Sequence, residues 1–138
     1  MRNLLQGLSL LLVAVLLGSG CSTTPSYAPK STTTLVLTPE NRAPTTSISV
    51  VTAIEIQLPS PPAASHNTWV LVGNNVVVLG QMTGIEHRAK PGTSNGIDVI
   101  SFYAMKPGKS VVRLVLIDPN DKEAVPIERY DVLVVSKE

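Results

Sequence analysis

The sequence is poor in the residues that most chemistry needs. Its 138 residues include one cysteine, one tryptophan, one phenylalanine and two histidines. A single cysteine excludes an intramolecular disulfide and any paired-cysteine redox or zinc motif. His66 and His87 stand in no HExxH or histidine-rich cluster, so no metal centre is expected. His87 beside Glu86 is read as a structural or solvated residue, and His66 as a solvated loop residue. There is no Gly-x-Ser-x-Gly elbow and no phosphate-cradling Gly-Lys-Ser. Catalysis and a bound cofactor are therefore not expected, nor is a small-molecule substrate. Eleven basic residues face ten acidic ones with no basic stripe, which argues against nucleic acid. Nor is there a polybasic run that would dock on anionic lipid.

What is present begins with an address. Met1 and Arg2 are followed by an apolar run from Leu4 to Leu17, then Gly18, Ser19, Gly20 and Cys21. A basic start, an apolar stretch and small residues before the cut make a secretory signal. The run is shorter than the about 20 residues a membrane-spanning helix needs. Small residues directly before a cysteine resemble a bacterial lipoprotein signal, with Gly18 where leucine is usual. The resemblance implies cleavage before Cys21 and lipidation of Cys21, and hence a membrane held through that lipid. Ser22, in place of aspartate, implies the outer membrane of a bacterial envelope, facing the periplasm. The expected organisation is residues 1–20 as signal peptide, 21–31 as lipidated cysteine and tether, and 32–138 as one domain. The Ser, Thr, Pro, Tyr and Lys of 22–31 have no face to bury. Extended, that tether reaches roughly 30 Å.

Beyond Cys21 stand sixteen valines and eight isoleucines. Branched side chains of this kind pack well on a pleated surface. Ile48, Val50, Ile54, Ile56 and Leu58 alternate through 47–58, the pattern of a strand, or tight hairpin, with one buried face. Pro59, Pro61 and Pro62 then stop it, since proline lacks an N–H for the ladder. Further short strands are expected at 32–38, 69–73, 76–79, 85–88, 97–105, 111–117 and 127–135. Gly73-Asn74-Asn75 suggests a hairpin between Trp69–Gly73 and Val76–Leu79. No stretch has a helical apolar period. The expected fold is all-β: an immunoglobulin-like antiparallel β-sandwich of seven or eight strands, with Trp69 and Phe102 central.

Glu55 to Ser60, a proline-rich loop and then Trp69 resemble the chagasin-type inhibitors of cysteine peptidases. Ile100 to Gly108, Val111 to Ile117 and Glu128 to Val135 continue the resemblance, which spans about 32–135. It implies an immunoglobulin-like fold and three loops at one end that plug the cleft of a papain-like peptidase. The first loop maps onto Pro61, Pro62, Ala63, Ala64, Ser65 and His66, where the family has Asn-Pro-Thr-Thr-Gly. The second maps onto Gly92, Thr93, Ser94, Asn95 and Gly96. The third maps onto Asp118, Pro119 and Asn120, where the family has Arg-Pro-Trp. Only the proline of that third motif is kept, and Asp118 reverses the charge. Asp118, Asn120 and Asp121 lack the glycine and distal glutamate of a calcium loop and are read as a solvated turn. Two readings stand together at this point. One is a protein-binding module using these loops, with a papain-like peptidase among its candidate partners. The other is an accessory envelope lipoprotein that docks through a sheet edge or through Val76–Leu79.

Overall fold

The computed structural model describes residues 33–138. The expected signal peptide, Cys21 and the expected tether lie outside the described residues. Nine strands follow in order: β1 (Thr34–Leu37), β2 (Thr45–Ser49), β3 (Ala53–Pro59), β4 (Thr68–Gly73), β5 (Leu79–Gln81), β6 (Glu86–Arg88), β7 (Ile97–Ala104), β8 (Gly108–Ile117) and β9 (Glu128–Lys137). Among the described residues there is no helix. The strands form two sheets. One runs β1-β3-β7-β5, with β6 also on β7; the other runs β2-β9-β8-β4.

The alternation of β3 works as its spacing predicts. Ile54, Ile56 and Leu58 are buried, while Glu55 and Gln57 face outward and hydrogen-bond to each other at 2.7 Å. From β7 come Ile100, Phe102 and Ala104; from the facing sheet come Trp69, Val112, Leu114, Tyr130, Val132 and Val134. Each large apolar side chain so buried contributes about 1.5–3 kcal/mol. With no disulfide possible, this double layer is what joins the sheets.

The structure departs from the sequence expectation in four respects. The sandwich is mixed rather than wholly antiparallel, because β1 pairs parallel with β3 and β2 parallel with β9. The strand count is nine. Residues 47–58 are neither one strand nor a hairpin: β2 and β3 belong to opposite sheets and are joined by an arch at 50–52. β5 and β6 are two pieces of a broken edge on β7. Residues 76–78 form a turn rather than a strand, so the hairpin across Gly73-Asn74-Asn75 is absent. Asn75 overrides the strand preference of the valines. Its carbonyl accepts the N–H groups of Val78 and Leu79, and its Oδ1 accepts that of Val77 at 3.2 Å.

The registers define two poles. Pro59 lies opposite Ile97, and Thr68 opposite Ile117, so the connections 60–67, 89–96 and 118–127 leave from one end. Ala53 lies opposite Tyr103, Thr34 beside Ala53, and Gly108 opposite Ser136. The arch at 50–52, the turn at 74–78, the connection 105–107 and the start of β1 therefore share the other end.

Candidate functional site

Connection 60–67 bridges the two sheets, leaving β3 in one and entering β4 in the other. Connection 89–96 stands over β6 and β7 on one side of it; 118–127 stands over β8 and β9 on the other. The three groups of residues named from sequence are thus neighbours at one pole.

Their exposure differs. Pro62, Ala63, Ala64 and His66 are exposed, whereas Pro61 and Ser65 are half-buried. Ser65 folds back on the loop, with its N–H and its Oγ both donating to the carbonyl of Pro62 at 2.9 and 2.8 Å. Gly92, Thr93 and Ser94 are exposed, while Asn95 and Gly96 are half-buried. Thr93 donates from its Oγ to the carbonyl of Lys90 at 2.7 Å. Pro119 and Asn120 are exposed, and the half-buried Asp118 accepts the Asn120 N–H on its Oδ1 at 2.8 Å. That is a self-contained Asx turn.

A clasp beneath the first two loops was not visible in the sequence. Ser60, 7% exposed, donates its hydroxyl to Asp98 Oδ1 at 2.5 Å. His87 Nδ1 lies 3.0 Å from the same hydroxyl oxygen and 3.2 Å from the same carboxylate. With the Ser60 proton committed to Asp98, Nδ1 is the donor to both, which sets the tautomer. Serine, histidine and aspartate together invite comparison with a hydrolase, but the geometry is wrong for one. A catalytic histidine takes the serine proton on one ring nitrogen and holds the carboxylate with the other. Here one nitrogen meets both partners, and the serine is a buried donor to the acid. The trio is a fastening.

Two further contacts tighten it. The Ser60 N–H donates to the Gly96 carbonyl at 3.3 Å, joining the roots of both loops. Gly96 has φ +77°, and a Cβ there would lie 2.5 Å from the Arg88 carbonyl and 3.0 Å from His87 Cε1. Only glycine lets the backbone lie so close against the imidazole. On the outer face nearby, Arg88 pairs with Glu55 at 3.0 Å and Glu86 at 3.3 Å. The hydrogen bond to Glu55, then that to Glu86, hold its guanidinium proton more firmly than usual.

A fourth connection, 38–44, joins the same pole and was left out of the sequence-derived site. Thr38, Pro39 and Glu40 form one wall of a groove whose other wall is residues 92–96. Thr38 and Asn41 cap one another, the Thr38 N–H on Asn41 Oδ1 at 2.6 Å and the Asn41 N–H on Thr38 Oγ1 at 3.3 Å. The Thr38 hydroxyl in turn lowers the pKa of the Glu40 carboxyl below its ordinary value. Among the described residues, no group of three or more His, Cys, Asp or Glu is placed to hold a metal ion.

No protein-family model matches the chain, and no curated protein matches it in sequence. Among solved structures it is similar to EhICP2, a cysteine protease inhibitor from Entamoeba histolytica. That likeness has a TM-score of 0.65 at 22% identity and covers 76% of this chain and 96% of that one. It is similar also to amebosin, with a TM-score of 0.55 at 22% identity over 75% of this chain and 97% of that one. The described residues therefore share the fold of these two proteins.

Proposed function

We propose that the chain is a lipid-anchored, protein-binding module of the outer membrane, facing the periplasm. Its loop pole engages a protein partner, and a papain-like cysteine peptidase is the partner class that the fold favours. One observation carries this reading. Connections 60–67, 89–96 and 118–127 meet at one pole, and the first two are tied at the root by Ser60, His87, Asp98 and Gly96. Loops fastened at the root lose less conformational entropy when a partner closes on them.

The tips set the strength. Positions 61–66, 92–96 and 118–120 hold no aromatic residue and no arginine, the side chains that dominate most interfaces. Binding through main chain, proline and small side chains is expected to be of micromolar rather than nanomolar order, about −8 kcal/mol. The test is titration of a papain-like peptidase with the purified protein. Inhibition at micromolar protein, lost when residues 61–66 become Gly-Ser, supports the reading. No inhibition would leave an accessory envelope lipoprotein without inhibitory activity, though one that could not use Val76–Leu79 as a docking strand. Cys21→Ser tests the anchor, since the variant should leave the membrane fraction.

A further inference from the structure

The pole opposite the loops carries apolar side chains that are about half exposed or more. Val51, Val76, Val77 and Met105 are 58%, 66%, 56% and 45% exposed. They come from three separate connections, yet the backbone ties them together. The Val51 N–H donates to the Ala104 carbonyl at 2.9 Å, and the Met105 N–H to the Val78 carbonyl at 2.9 Å.

These residues are held out rather than left loose. In the turn at 74–78, Val78 is buried against Gly108, where a Cβ would lie 2.7 Å from its Cγ2. Ser110, itself buried, donates to Asn74 Oδ1 at 2.8 Å and accepts the Asn75 N–H at 2.9 Å. Asn74 and Asn75 also donate to the carbonyls of Leu79 and Lys109. A turn braced this way presents Val76 and Val77 on a rigid mount. Val51 has φ +66°, a conformation that branched residues rarely adopt. An exposed valine kept there, where asparagine or glycine would be less strained, points to a use for its side chain.

Charge and connectivity identify the occupant. Lys106, Lys109 and Lys137 are exposed at this pole, against the single acidic side chain of Glu138. Separated in sequence, they form no polybasic run, but the fold gathers them. The connections of the opposite pole carry Glu40, Asp118, Asp121 and Glu123 against Arg42, Lys90 and Lys122, so the excess there is acidic where here it is basic. β1 starts at this apolar, basic end, so residues 1–32 join the domain here.

We propose that this pole rests on the membrane that holds Cys21, with Val51, Val76, Val77 and Met105 at the headgroup boundary and the three lysines over anionic phospholipid. The loop pole then faces away from the bilayer. This inference rests on the anchored reading above, and it can fail while that reading stands.

The test uses the full chain, processed in cells and reconstituted in phosphatidylglycerol–phosphatidylethanolamine vesicles. An environment-sensitive fluorescent amino acid replaces Val77 in one sample and Ala63 in another. Doxyl-labelled phospholipid serves as quencher, and intact mass reports the lipid on Cys21. The expected result is a blue shift and loss of emission at position 77, with neither at 63. Lys106→Glu with Lys109→Glu should restore the emission at 77. Equal quenching at both positions, quenching at 63 alone, none at either, or no response to the charge reversal would overturn the inference. A mass without lipid would overturn the anchor, and the inference with it.

Discussion

The indole Nε1 of Trp69 donates to the carbonyl oxygen of Pro59 at 3.0 Å. The donor sits near the start of β4 in one sheet, and the acceptor ends β3 in the other. The bond therefore closes the neck of connection 60–67. Trp69→Phe keeps an aromatic ring buried but removes the donor and part of the indole's volume, so a loss of about 1–3 kcal/mol in urea unfolding is expected. Trp69→Ala removes the core contact as well and should cost about 3–5 kcal/mol. If the phenylalanine variant unfolds like the parent, the bond does not hold the neck.

Ser60→Ala takes the hydroxyl from between His87 and Asp98. The largely buried carboxylate then keeps one partner where it had two. The expected cost is about 1–3 kcal/mol. The Ser60 amide, bonded to Gly96, should exchange faster with solvent as the two loops loosen. Unchanged exchange in a destabilised variant would mean that the clasp stabilises without steering the loops.

Gly96→Ala and Gly92→Ala form an informative pair. Both glycines have positive φ, +77° and +81°, so each substitution carries a backbone cost of about 1–2 kcal/mol. A Cβ at Gly92 meets nothing within 4 Å, whereas at Gly96 it strikes the Arg88 carbonyl. Thermal unfolding should show the Gly96 variant clearly less stable than its partner. Equal losses would show that the backbone there yields.

Tyr130 is 3% exposed, and its hydroxyl has no hydrogen-bond partner among the described residues. Burial raises its pKa above the ordinary value of about 10; the Arg42 charge opposes this and the Glu40 charge adds to it. A raised folded value means that the native state keeps this proton better than the unfolded chain. The contribution is whole below pH of about 10 and is lost as pH climbs through the folded value. Tyr130→Phe should be nearly neutral at pH 7 and should flatten the alkaline fall in stability. Arg42, 5.0 Å from the ring centroid, would keep its cation–π contact. A parallel alkaline fall in both proteins would assign it to other groups.

Local pattern was legible where one face of a strand is buried. The even positions of β3, the Val112–Leu114–Leu116 face and the Tyr130–Val132–Val134 face all lie inside as their alternation requires. Trp69 and Phe102 are buried in the core, as expected of the two largest apolar side chains. Pairing was not legible. Nothing in Leu35 or Ile48 tells β1 to run parallel to β3, or β2 to run parallel to β9, because alternation specifies a face and not a neighbour. The valines at 76–78 read as a strand until the hydrogen bonds of Asn75 are counted. The clasp joins residues 60, 87 and 98, and such separations leave no local spacing to find. The loop positions were named through a resemblance carried by the framework, not by the loop residues themselves.

The parallel seam between β1 and β3 has a mechanical consequence. Tension entering at Thr34 and resisted at the far loops would run along the strands, so the bonds pairing Thr34–Leu37 with Ala53–Ile56 are loaded in shear and must fail together. Had the same segment been a hairpin partner pulled from its open end, they would unzip one at a time at low force. A pulling trace with one sharp rupture, rather than a gradual yield, is the signature expected of such a seam.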